Sequence, residues 1–531
     1  MAELLAPLAA ADPDRAAIVD DDGRVRTRAE LDTHVNRLVS GLRASGLDVG
    51  ATVAIMAGNQ IELFEVVLAA SHAGWTVVPV NWHWVAEELA YVLADSGAAA
   101  LIVDERWADV AADAMARAEA EDPGLADRLR VRVVVDRSAT GAFPSGFASY
   151  TDLLATGSPG EPDDQRTGGP MFYTSGTTGF PKGVRTMLSA NEGSPAVFGF
   201  IAGGFMDLLQ MPREAVALLC GPAYHSAQFV FSVFPLVTGG TVVCQHRFDP
   251  VQFLDLIDEH QVTTMHLVPT QMVRLLKLDE ETRAGFDGSS LERVYHGAAP
   301  CPPDVKRQMI EWWGPVIWEY YGGTEGGFLT LLSPEDWATH PGSVGTPTAL
   351  VELTITDDDG RRLGPGEPGQ IWFRSLLGTD FEYHNAPDKT ASAHLEPGVG
   401  TLGDIGYVDD DGFLFMSDRK IDMIISGGVN IYPAEIEGVL VTHPSVADAA
   451  VFGIPDDEMG EQVKAAVELI EDTVASAGLI EDLAAHVRAH VAGYKVPRSF
   501  DVVDALPRNA AGKLQKRELR APYWEGTGRS I

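Results

Sequence analysis

The sequence predicts an α/β protein, with a large N-terminal domain of mixed and parallel sheets plus helices and a smaller α+β domain at the C-terminus. In the first half of the chain, stretches typical of buried strands, such as "ATVAIMAG" and "WTVVPVN", alternate with helical stretches such as "QIELFEVVLAASHAG". This alternation indicates parallel sheets with crossover helices. After about residue 340, Asp-Gly turns separate stretches of alternating polar and apolar residues, as in antiparallel hairpins. The 531 residues exceed the roughly 250 to 300 at which a single core stops growing.

The individual elements follow from the same patterns, taken along the chain. Residues 28–45 carry apolar side chains at helical spacing and end before Gly46. "AALIVD" and "RVVVD" continue the buried strands, and the polar stretch 156–170, rich in Gly and Pro, predicts a surface loop. "AEIEGVLVTHPSV" and "LIEDLAAHVRAHV" are helical, whereas "DAAVFGI" and "VKAAVELI" are typical of strands. We therefore predict a domain over 1–418, a hinge over 419–422 and a small domain over 423–531.

The composition excludes several classes of function. The chain has 39 Lys and Arg against 76 Asp and Glu, a net charge of −37, so it lacks the basic face that nucleic-acid binding requires. It has no run of about 18 apolar residues and no basic segment at its N-terminus, so we expect a cytoplasmic protein without a membrane span. The three cysteines are too far apart for a disulfide framework or a metal-ligand motif. An acidic protein that binds a polyphosphate must gather its few cations locally or recruit a metal ion.

The stretch "YTSGTTGFPKGV" at 173–184 has the composition of an anion-binding loop, with bare backbone, small hydroxyl side chains and one lysine. It departs from the phosphate motif G-x-x-x-x-G-K-S/T. Counted from Gly176, the lysine falls in place at Lys182, but Pro181 replaces the second glycine and Gly183 replaces the hydroxyl residue. A proline offers no N–H to a phosphate. On its own, the stretch leaves open a flexible turn or a nucleotide-binding loop of another geometry.

Five stretches in the same order resemble motifs of the adenylate-forming superfamily, which includes acyl- and aryl-CoA synthetases, luciferases and peptide-synthetase adenylation domains. They are "YTSGTTGFPKGV" (173–184), "YYGGTEG" (320–326), "TLGDIGYVDDDGFLF" (401–415), "DRKIDMIISGGVNIYPAEIE" (418–437) and "PRNAAGKLQKREL" (507–519). The resemblance covers nearly the whole chain. Leu402 is inserted in the usual Thr-Gly pair, and Ile421 stands where the family has an Asp or Lys pivot.

The resemblance implies ATP as a substrate, Mg²⁺ as a cofactor and a small domain that rotates between two half-reactions. Thr324 and Glu325 would lie at the α-phosphate, with Glu325 as the metal ligand, and Lys513 would be the catalytic lysine. Gly427 and Gly428 would line the coenzyme A tunnel. The residues implied in ATP or AMP binding are Thr174, Ser175, Gly176, Thr177, Thr178, Gly179, Lys182, Gly297, Ala298, Ala299, Tyr320, Tyr321, Gly322, Asp404 and Arg419.

The class of acyl substrate is predicted from the residues that would line its pocket. The resemblance implies an acyl pocket lined by Tyr224, His225, Phe229 and Gly323, with Tyr320 as a further candidate. Glycines at 322, 323, 326 and 327 would leave room for a bulky apolar acid of fatty, aryl or steroid-like type, and no Asp stands where peptide-synthetase domains hold an α-amino group.

Three functions remain open from the sequence. The favoured one is a ligase that joins a hydrophobic carboxylic acid to coenzyme A. The alternative is a stand-alone adenylating enzyme that passes the acyl group to an amine or a carrier protein. The third is a non-catalytic nucleotide-binding protein, against which the presence of Glu325, Asp404, Arg419 and Lys513 argues. Monomer and homodimer are both left open.

Overall fold

A computed structural model describes residues 4–137, 143–174, 181–189, 193–299, 301–419, 422–426, 429–431, 433–456, 459–471, 473–491, 493–508 and 514–525. The strands among these residues are β1 Ala16–Val19, β2 Val25–Thr27, β3 Thr52–Met56, β4 Thr76–Pro79, β5 Ala98–Asp104, β6 Val131–Val135, β7 Ala148–Ser149, β8 Gly169–Pro170, β9 Phe172–Thr174, β10 Lys182–Arg185, β11 Val216–Leu219, β12 Thr241–Cys244, β13 Thr264–Leu267, β14 Arg293–His296, β15 Ile317–Gly323, β16 Gly327–Leu332, β17 Thr346–Pro347, β18 Val351–Thr356, β19 Gly369–Ser375, β20 Glu382–Tyr383, β21 His394–Glu396, β22 Val399–Gly400, β23 Asp404–Val408, β24 Leu414–Arg419, β25 Ile424–Ser426, β26 Val429–Ile431, β27 Val446–Asp456, β28 Gly460–Leu469 and β29 Ser499–Val503.

The helices among the same residues are α1 Ala6–Ala11, α2 Arg28–Ala44, α3 Ile61–Ala73, α4 Ala86–Asp95, α5 Ala108–Glu121, α6 Leu125–Arg128, α7 Tyr150–Thr156, α8 Ala196–Leu208, α9 Ser226–Val237, α10 Pro250–His260, α11 Pro269–Leu276, α12 Glu280–Gly285, α13 Pro303–Trp313, α14 Pro334–Thr339, α15 Pro387–Ser392, α16 Pro433–Leu440, α17 Ala477–His490 and α18 Lys516–Trp524. None of these helices combines the length and apolar composition needed to cross a bilayer.

The chain divides into two compact units. The first unit comprises Met1–His296, Gly322–Gly327 and Ser375–His394, and the second unit comprises Gly297–Tyr321, Phe328–Arg374 and Leu395–Ile531. Both units mix helices and strands, so the predicted α/β class is confirmed. The predicted division of the chain at 419–422 stays a prediction.

Two largely parallel sheets form the frame of the first unit. One has the strand order β7-β6-β5-β3-β4-β8, with every neighbouring pair parallel. The other runs β14-β13-β11-β12-β1-β2, parallel except for the hairpin of β1 and β2. All 13 residues of α3 are buried, although its sequence includes Glu62 and Glu65 among the apolar residues. The alternation of strands and helices in the sequence therefore predicted the parallel sheets correctly.

A third sheet of the first unit, β20-β10-β9, is small and antiparallel. Its register sets Lys182 opposite Thr174 and Val184 opposite Tyr383. Gly183 permits this close packing, because a Cβ there would lie 3.1 Å from both the Cβ of His384 and the ring of Tyr173. The sheet thus holds the two ends of the 174–182 stretch side by side.

The second unit contains the predicted hairpins and a mixed sheet. Strands β21-β22-β19-β23-β24 form a sheet, with β18 paired to β19, and β23 and β24 are antiparallel around the turn at Asp409–Gly412. The mixed sheet runs β26-β25-β28-β27, with β29 parallel to β28. One of its faces contributes to a buried apolar cluster with α16 and α17, which includes Ile436, Val467 and Leu483.

The buried side chain of His266 on β13 predicts how stability depends on pH. Burial lowers its pKa to about 3, and its Nδ1 lies 3.0 Å from Nε2 of Gln228. Because the pKa in the folded protein is below the ordinary value of about 6.5, the unfolded chain binds a proton first as the pH falls. This contribution to stability is therefore complete above pH 6.5 and is lost as the pH falls towards 3.

We expect His266→Asn, whose carboxamide oxygen can still accept from Gln228, to weaken that pH dependence. The slope of the unfolding free energy between pH 6 and pH 4 should fall by about 1.4 kcal/mol per pH unit, the equivalent of one proton. Urea unfolding at a series of pH values measures the slope. If the variant kept the slope of the wild type, His266 would not be held neutral in the folded protein over this pH range.

Candidate active site

Thr324 and Glu325 lie in the turn that follows β15, and each contacts a different element of the first unit. The Oγ1 of Thr324 lies 2.8 Å from the Oγ of Ser226, the first residue of α9. Tyr383 on β20 donates from its hydroxyl to Oε1 of Glu325 at 3.0 Å. The two predicted catalytic side chains are therefore fixed by hydrogen bonds to elements distant in the chain.

Lys182 lies at the start of β10, close to the same tyrosine. Its ammonium nitrogen is 5.2 Å from the centre of the Tyr383 ring, a distance at which a cation is attracted to the face of an aromatic ring. Burial and the neighbouring ammonium of Lys389 lower the pKa of Lys182, while the carboxylate of Glu325 acts in the opposite direction. Lys182, Lys389, Glu325 and Tyr383 thus form one charged cluster, called the lysine–glutamate cluster below.

The structure describes only the two ends of the predicted phosphate loop. Thr174 and Lys182 are paired across β9 and β10, so the two ends of the loop lie beside the lysine–glutamate cluster. The remaining predicted members, Ser175, Gly176, Thr177, Thr178 and Gly179, lie outside the described residues, and their roles stay predictions.

Glu325 offers an oxygen ligand of the kind that a hard divalent cation such as Mg²⁺ prefers. Its carboxylate accepts a hydrogen bond from Tyr383. Proteins often bind this ion through one or two carboxylates together with phosphates of the substrate. The Glu325 carboxylate, in the same cluster as the ammonium groups of Lys182 and Lys389, is therefore chemically suited to the predicted role of metal ligand, which stays a prediction.

Two of the candidate acyl-binding residues directly precede Ser226, the residue that contacts Thr324. Tyr224 and His225 precede Ser226 directly, with their ring centres 4.4 Å apart, and burial raises the pKa of the Tyr224 hydroxyl. Phe229, one turn into α9, is buried and packs edge-on against Phe172 at 5.2 Å. Gly323, the last residue of β15, precedes Thr324. Their role in binding an acid stays a prediction.

In the second unit, two residues predicted to bind the nucleotide contact each other. Tyr321 donates from its hydroxyl to Oδ2 of Asp404 at 2.8 Å, and its backbone N–H donates to Thr330 at 3.3 Å. Asp404, at the start of β23, is only 6% exposed. The register of β23 and β24 sets Arg419 opposite Asp404. The carboxylate of Asp404 is therefore oriented by a tyrosine from the neighbouring motif.

Gly297, one of the residues implied in nucleotide binding, lies against Tyr320 in the second unit. A Cβ at Gly297 would be 2.8 Å from both the carbonyl oxygen and the ring of Tyr320, which packs on Phe328 at 4.8 Å. β14 ends at His296, so Gly297, Ala298 and Ala299 follow the strand instead of belonging to it. Ala298 has a φ of +65°, and both alanines are exposed.

Several of the predicted site and hinge residues belong to parts of the chain that the structure does not describe. Lys513, Gly427 and Gly428 lie outside the described residues, as do residues 420 and 421 of the predicted hinge, and the side chain of Arg419 is likewise outside them. Their catalytic and binding roles stay predictions. Gly322 lies in β15 between Tyr321 and Gly323, and its predicted role in nucleotide binding stays a prediction.

Sequence reasoning missed three residues of this site: Ser226, Tyr383 and Lys389. Ser226 directly follows the predicted acyl-pocket residues Tyr224 and His225 but was not assigned a role. Tyr383 and Lys389 lie in "FEYHNAPDKT", a stretch without glycine that resembles no phosphate loop. Only the pairing of β20 with β10 brings them to Lys182, and no sequence signal reports that pairing.

Comparison with known families gives two matches that together cover most of the chain. The model described as AMP-binding enzyme matches residues 6–377. The model described as AMP-binding enzyme C-terminal domain matches residues 435–513. The second match contains the predicted lysine position 513.

Similar proteins include ligases with different acyl acceptors. A fatty acid–acyl-carrier-protein ligase of Streptomyces coeruleorubidus is 31% identical over 516 residues, covering 96% of this chain and 94% of the relative. A feruloyl-CoA synthase of an Amycolatopsis species is 34% identical over 515 residues, covering 96% of each chain.

Two solved structures share the fold over nearly their full length. The o-succinylbenzoate CoA synthetase of Bacillus subtilis, in complex with its acyl-adenylate intermediate, has a TM-score of 0.79 at 29% identity and covers 97% of each chain. An amide bond synthetase of Marinactinospora thermotolerans has a TM-score of 0.80 at 28% identity, covering 98% of this chain and 99% of that one.

The packing of Gly297 on Tyr320 predicts that Gly297→Ala destabilises the protein. The added methyl group would overlap a backbone oxygen and a buried ring, so we expect a loss of about 1–3 kcal/mol in unfolding free energy. Gly438→Ala is the matched control, because a Cβ at this position in α16 meets nothing within 4 Å, and it should be neutral or slightly stabilising. Urea unfolding compares the two, and equal stability of both variants would contradict the described packing.

Proposed function

Since this chain belongs to the family of AMP-binding, adenylate-forming enzymes, we propose that it is an ATP-dependent ligase that joins a hydrophobic carboxylic acid to coenzyme A. The observation that carries the proposal is the lysine–glutamate cluster, with Thr324 held beside it by Ser226. It combines cations for phosphates with an oxygen ligand for a metal ion, as a site for a metal–nucleotide complex requires.

The proposed reaction has two halves. In the first, a carboxylate oxygen of the acid attacks the α-phosphorus of ATP, the bond from that phosphorus to the bridging oxygen breaks, and pyrophosphate leaves. In the second, the sulfur of coenzyme A attacks the acyl carbon, the bond from that carbon to the AMP oxygen breaks, and AMP leaves. The first half needs stabilisation of the negative charge that builds up on the phosphates.

The residues of the first unit have matching roles in the first half-reaction. Lys182 and the hydroxyl of Thr174 would bind the β- and γ-phosphates, and Thr324 would donate to an oxygen of the α-phosphate. Glu325 would hold Mg²⁺, which when bound neutralises phosphate charge and favours the departure of pyrophosphate. Tyr383 orients the Glu325 carboxylate through its hydrogen bond.

Residues of the second unit would bind the nucleoside and stabilise negative charge at the reacting phosphorus. Asp404, oriented by Tyr321, would accept hydrogen bonds from the ribose hydroxyls, with Arg419 as a further donor. Gly297, Ala298, Ala299 and the Tyr321 ring would lie at the adenine. Lys513 would stabilise the pentacovalent phosphorus, and Gly427 and Gly428 would line the tunnel for coenzyme A.

The acid is proposed from the predicted lining and the relatives together. The predicted lining residues Tyr224, His225 and Phe229 are aromatic, and the relatives include enzymes named for fatty acids and for ferulate. Coenzyme A is the favoured acceptor. A carrier protein or an amine is the second candidate, because similar proteins are named as a carrier-protein ligase and an amide bond synthetase.

All three cysteines are free, in accord with a reducing cytoplasm.

The proposed function predicts acid-dependent exchange of pyrophosphate into ATP. A panel of fatty, aryl and polycyclic acids should include active substrates, whereas amino acids should give no exchange. Active acids should then yield thioesters when coenzyme A is added. Exchange without thioester formation would favour the amine or carrier acceptor, and no exchange with any acid would contradict the proposal.

The predicted role of Lys513 is separable from the second half-reaction. We expect Lys513→Ala to lower the single-turnover rate of adenylate formation by about 10²–10³-fold, as when a transition-state donor is removed. Thioester formation from a preformed acyl-adenylate should continue, and Lys513→Arg should retain part of the first activity. Equal loss of both half-reactions would contradict this division of roles.

A further inference from the structure

A second lysine lies beside the proposed phosphate site, on a corner that follows β20. The backbone N–H of Tyr383 donates to the Oγ1 of Thr390 at 2.9 Å, and this hydroxyl also donates to the carbonyl of Ala386 at 3.1 Å. These bonds fold the start of α15 back onto β20. Lys389 directly precedes Thr390, so these bonds hold its backbone near Tyr383. Its side chain is exposed and is therefore accessible to a ligand.

The corner is also anchored to the rest of the first unit. His384 N–H donates to the carbonyl of Gly183 at 2.8 Å, directly beside Lys182 in the chain. Asn385 donates from its side chain to the carbonyl of Asp95 at 3.0 Å, and Nε2 of His384 lies 3.0 Å from the same oxygen. Lys389 is therefore positioned by a network that includes the strand carrying Lys182.

The charges around Lys182 point to an anionic ligand. The ammonium group of Lys389 lowers the pKa of Lys182, whereas the carboxylate of Glu325 raises it. Two ammonium groups held close together repel each other, and a shared anion removes that repulsion. The chain has a net charge of −37, so two neighbouring lysines are unusual in it. Together with Glu325, which could hold a metal ion, they are suited to bind a polyanion that carries a cation.

We propose that Lys389 is a second phosphate-binding lysine, which contacts the β- or γ-phosphate of ATP and the pyrophosphate product together with Lys182. The inference rests on the proposed function, because it assigns the terminal phosphates to the lysine–glutamate cluster. A charge-assisted contact from Lys389 would strengthen the binding of ATP and pyrophosphate. AMP, which lacks both terminal phosphates, would not benefit.

The test measures equilibrium binding of magnesium–ATP, magnesium–pyrophosphate and AMP by titration calorimetry on the full-length protein. We expect Lys389→Ala to weaken binding of ATP and pyrophosphate by about tenfold, the scale of one charge-assisted hydrogen bond, without changing the affinity for AMP. Lys389→Arg should restore most of the affinity. Lys277→Ala, which removes an exposed lysine that follows α11, is the matched control and should bind all three ligands as the wild type does.

The possible results separate the inference from the function. Unchanged pyrophosphate affinity in Lys389→Ala would overturn the inference and leave the proposed function intact. An equal loss of AMP and pyrophosphate affinity would also overturn it, because such a loss reports a disturbed fold. If the wild type bound neither ATP nor pyrophosphate, the proposed function itself would fail, and the inference with it.

Discussion

A protein with a net charge of −37 that binds a triphosphate must reverse the sign of its electrostatic potential over a short distance. The lysine–glutamate cluster meets this constraint in the first unit. Lys182 and Lys389 supply positive charge, and Glu325 supplies a ligand through which a divalent cation can add more. Tyr383 connects them, since its hydroxyl is bonded to Glu325 and its ring lies under the ammonium of Lys182. Because field strength falls with distance and with salt, the local arrangement decides binding more than the net charge does.

The fold positions this cluster through pairing of strands that are far apart in the chain. β10 carries Lys182 and lies between β9 and β20, so the two ends of the phosphate stretch and the corner with Lys389 share one small sheet. Ser226 at the start of α9 fixes Thr324, next to Glu325. In the second unit, Tyr321 fixes Asp404 in the same manner. Thr324, Glu325 and Asp404 are thus each oriented by a hydrogen bond with a residue outside their own stretch of sequence.

The sequence predicted most of the fold because its signals are local. Buried parallel strands appear as short apolar runs, and the turn at Asp409–Gly412 carries the Asp-Gly pattern that joins β23 to β24. The resemblance assigns roles to Thr324, Glu325 and Asp404 by position, and these roles stay predictions. Tyr383 and Lys389 could not be assigned in this way, because their contacts arise from the pairing of β20 with β10. Phe229 shows the converse problem, since an apolar residue at a helix start has the same pattern whether it lines a pocket or packs on Phe172.

We propose that the lysine–glutamate cluster is the site at which this adenylate-forming ligase binds the polyphosphate of ATP. The most direct measurement is a crystal structure of the protein with magnesium and a non-hydrolysable ATP analogue. We predict that the terminal phosphates lie within hydrogen-bonding distance of Lys182 and that the metal ion is bound by Glu325. Terminal phosphates bound elsewhere, with Lys182 and Glu325 contacting neither ligand nor metal, would contradict the account.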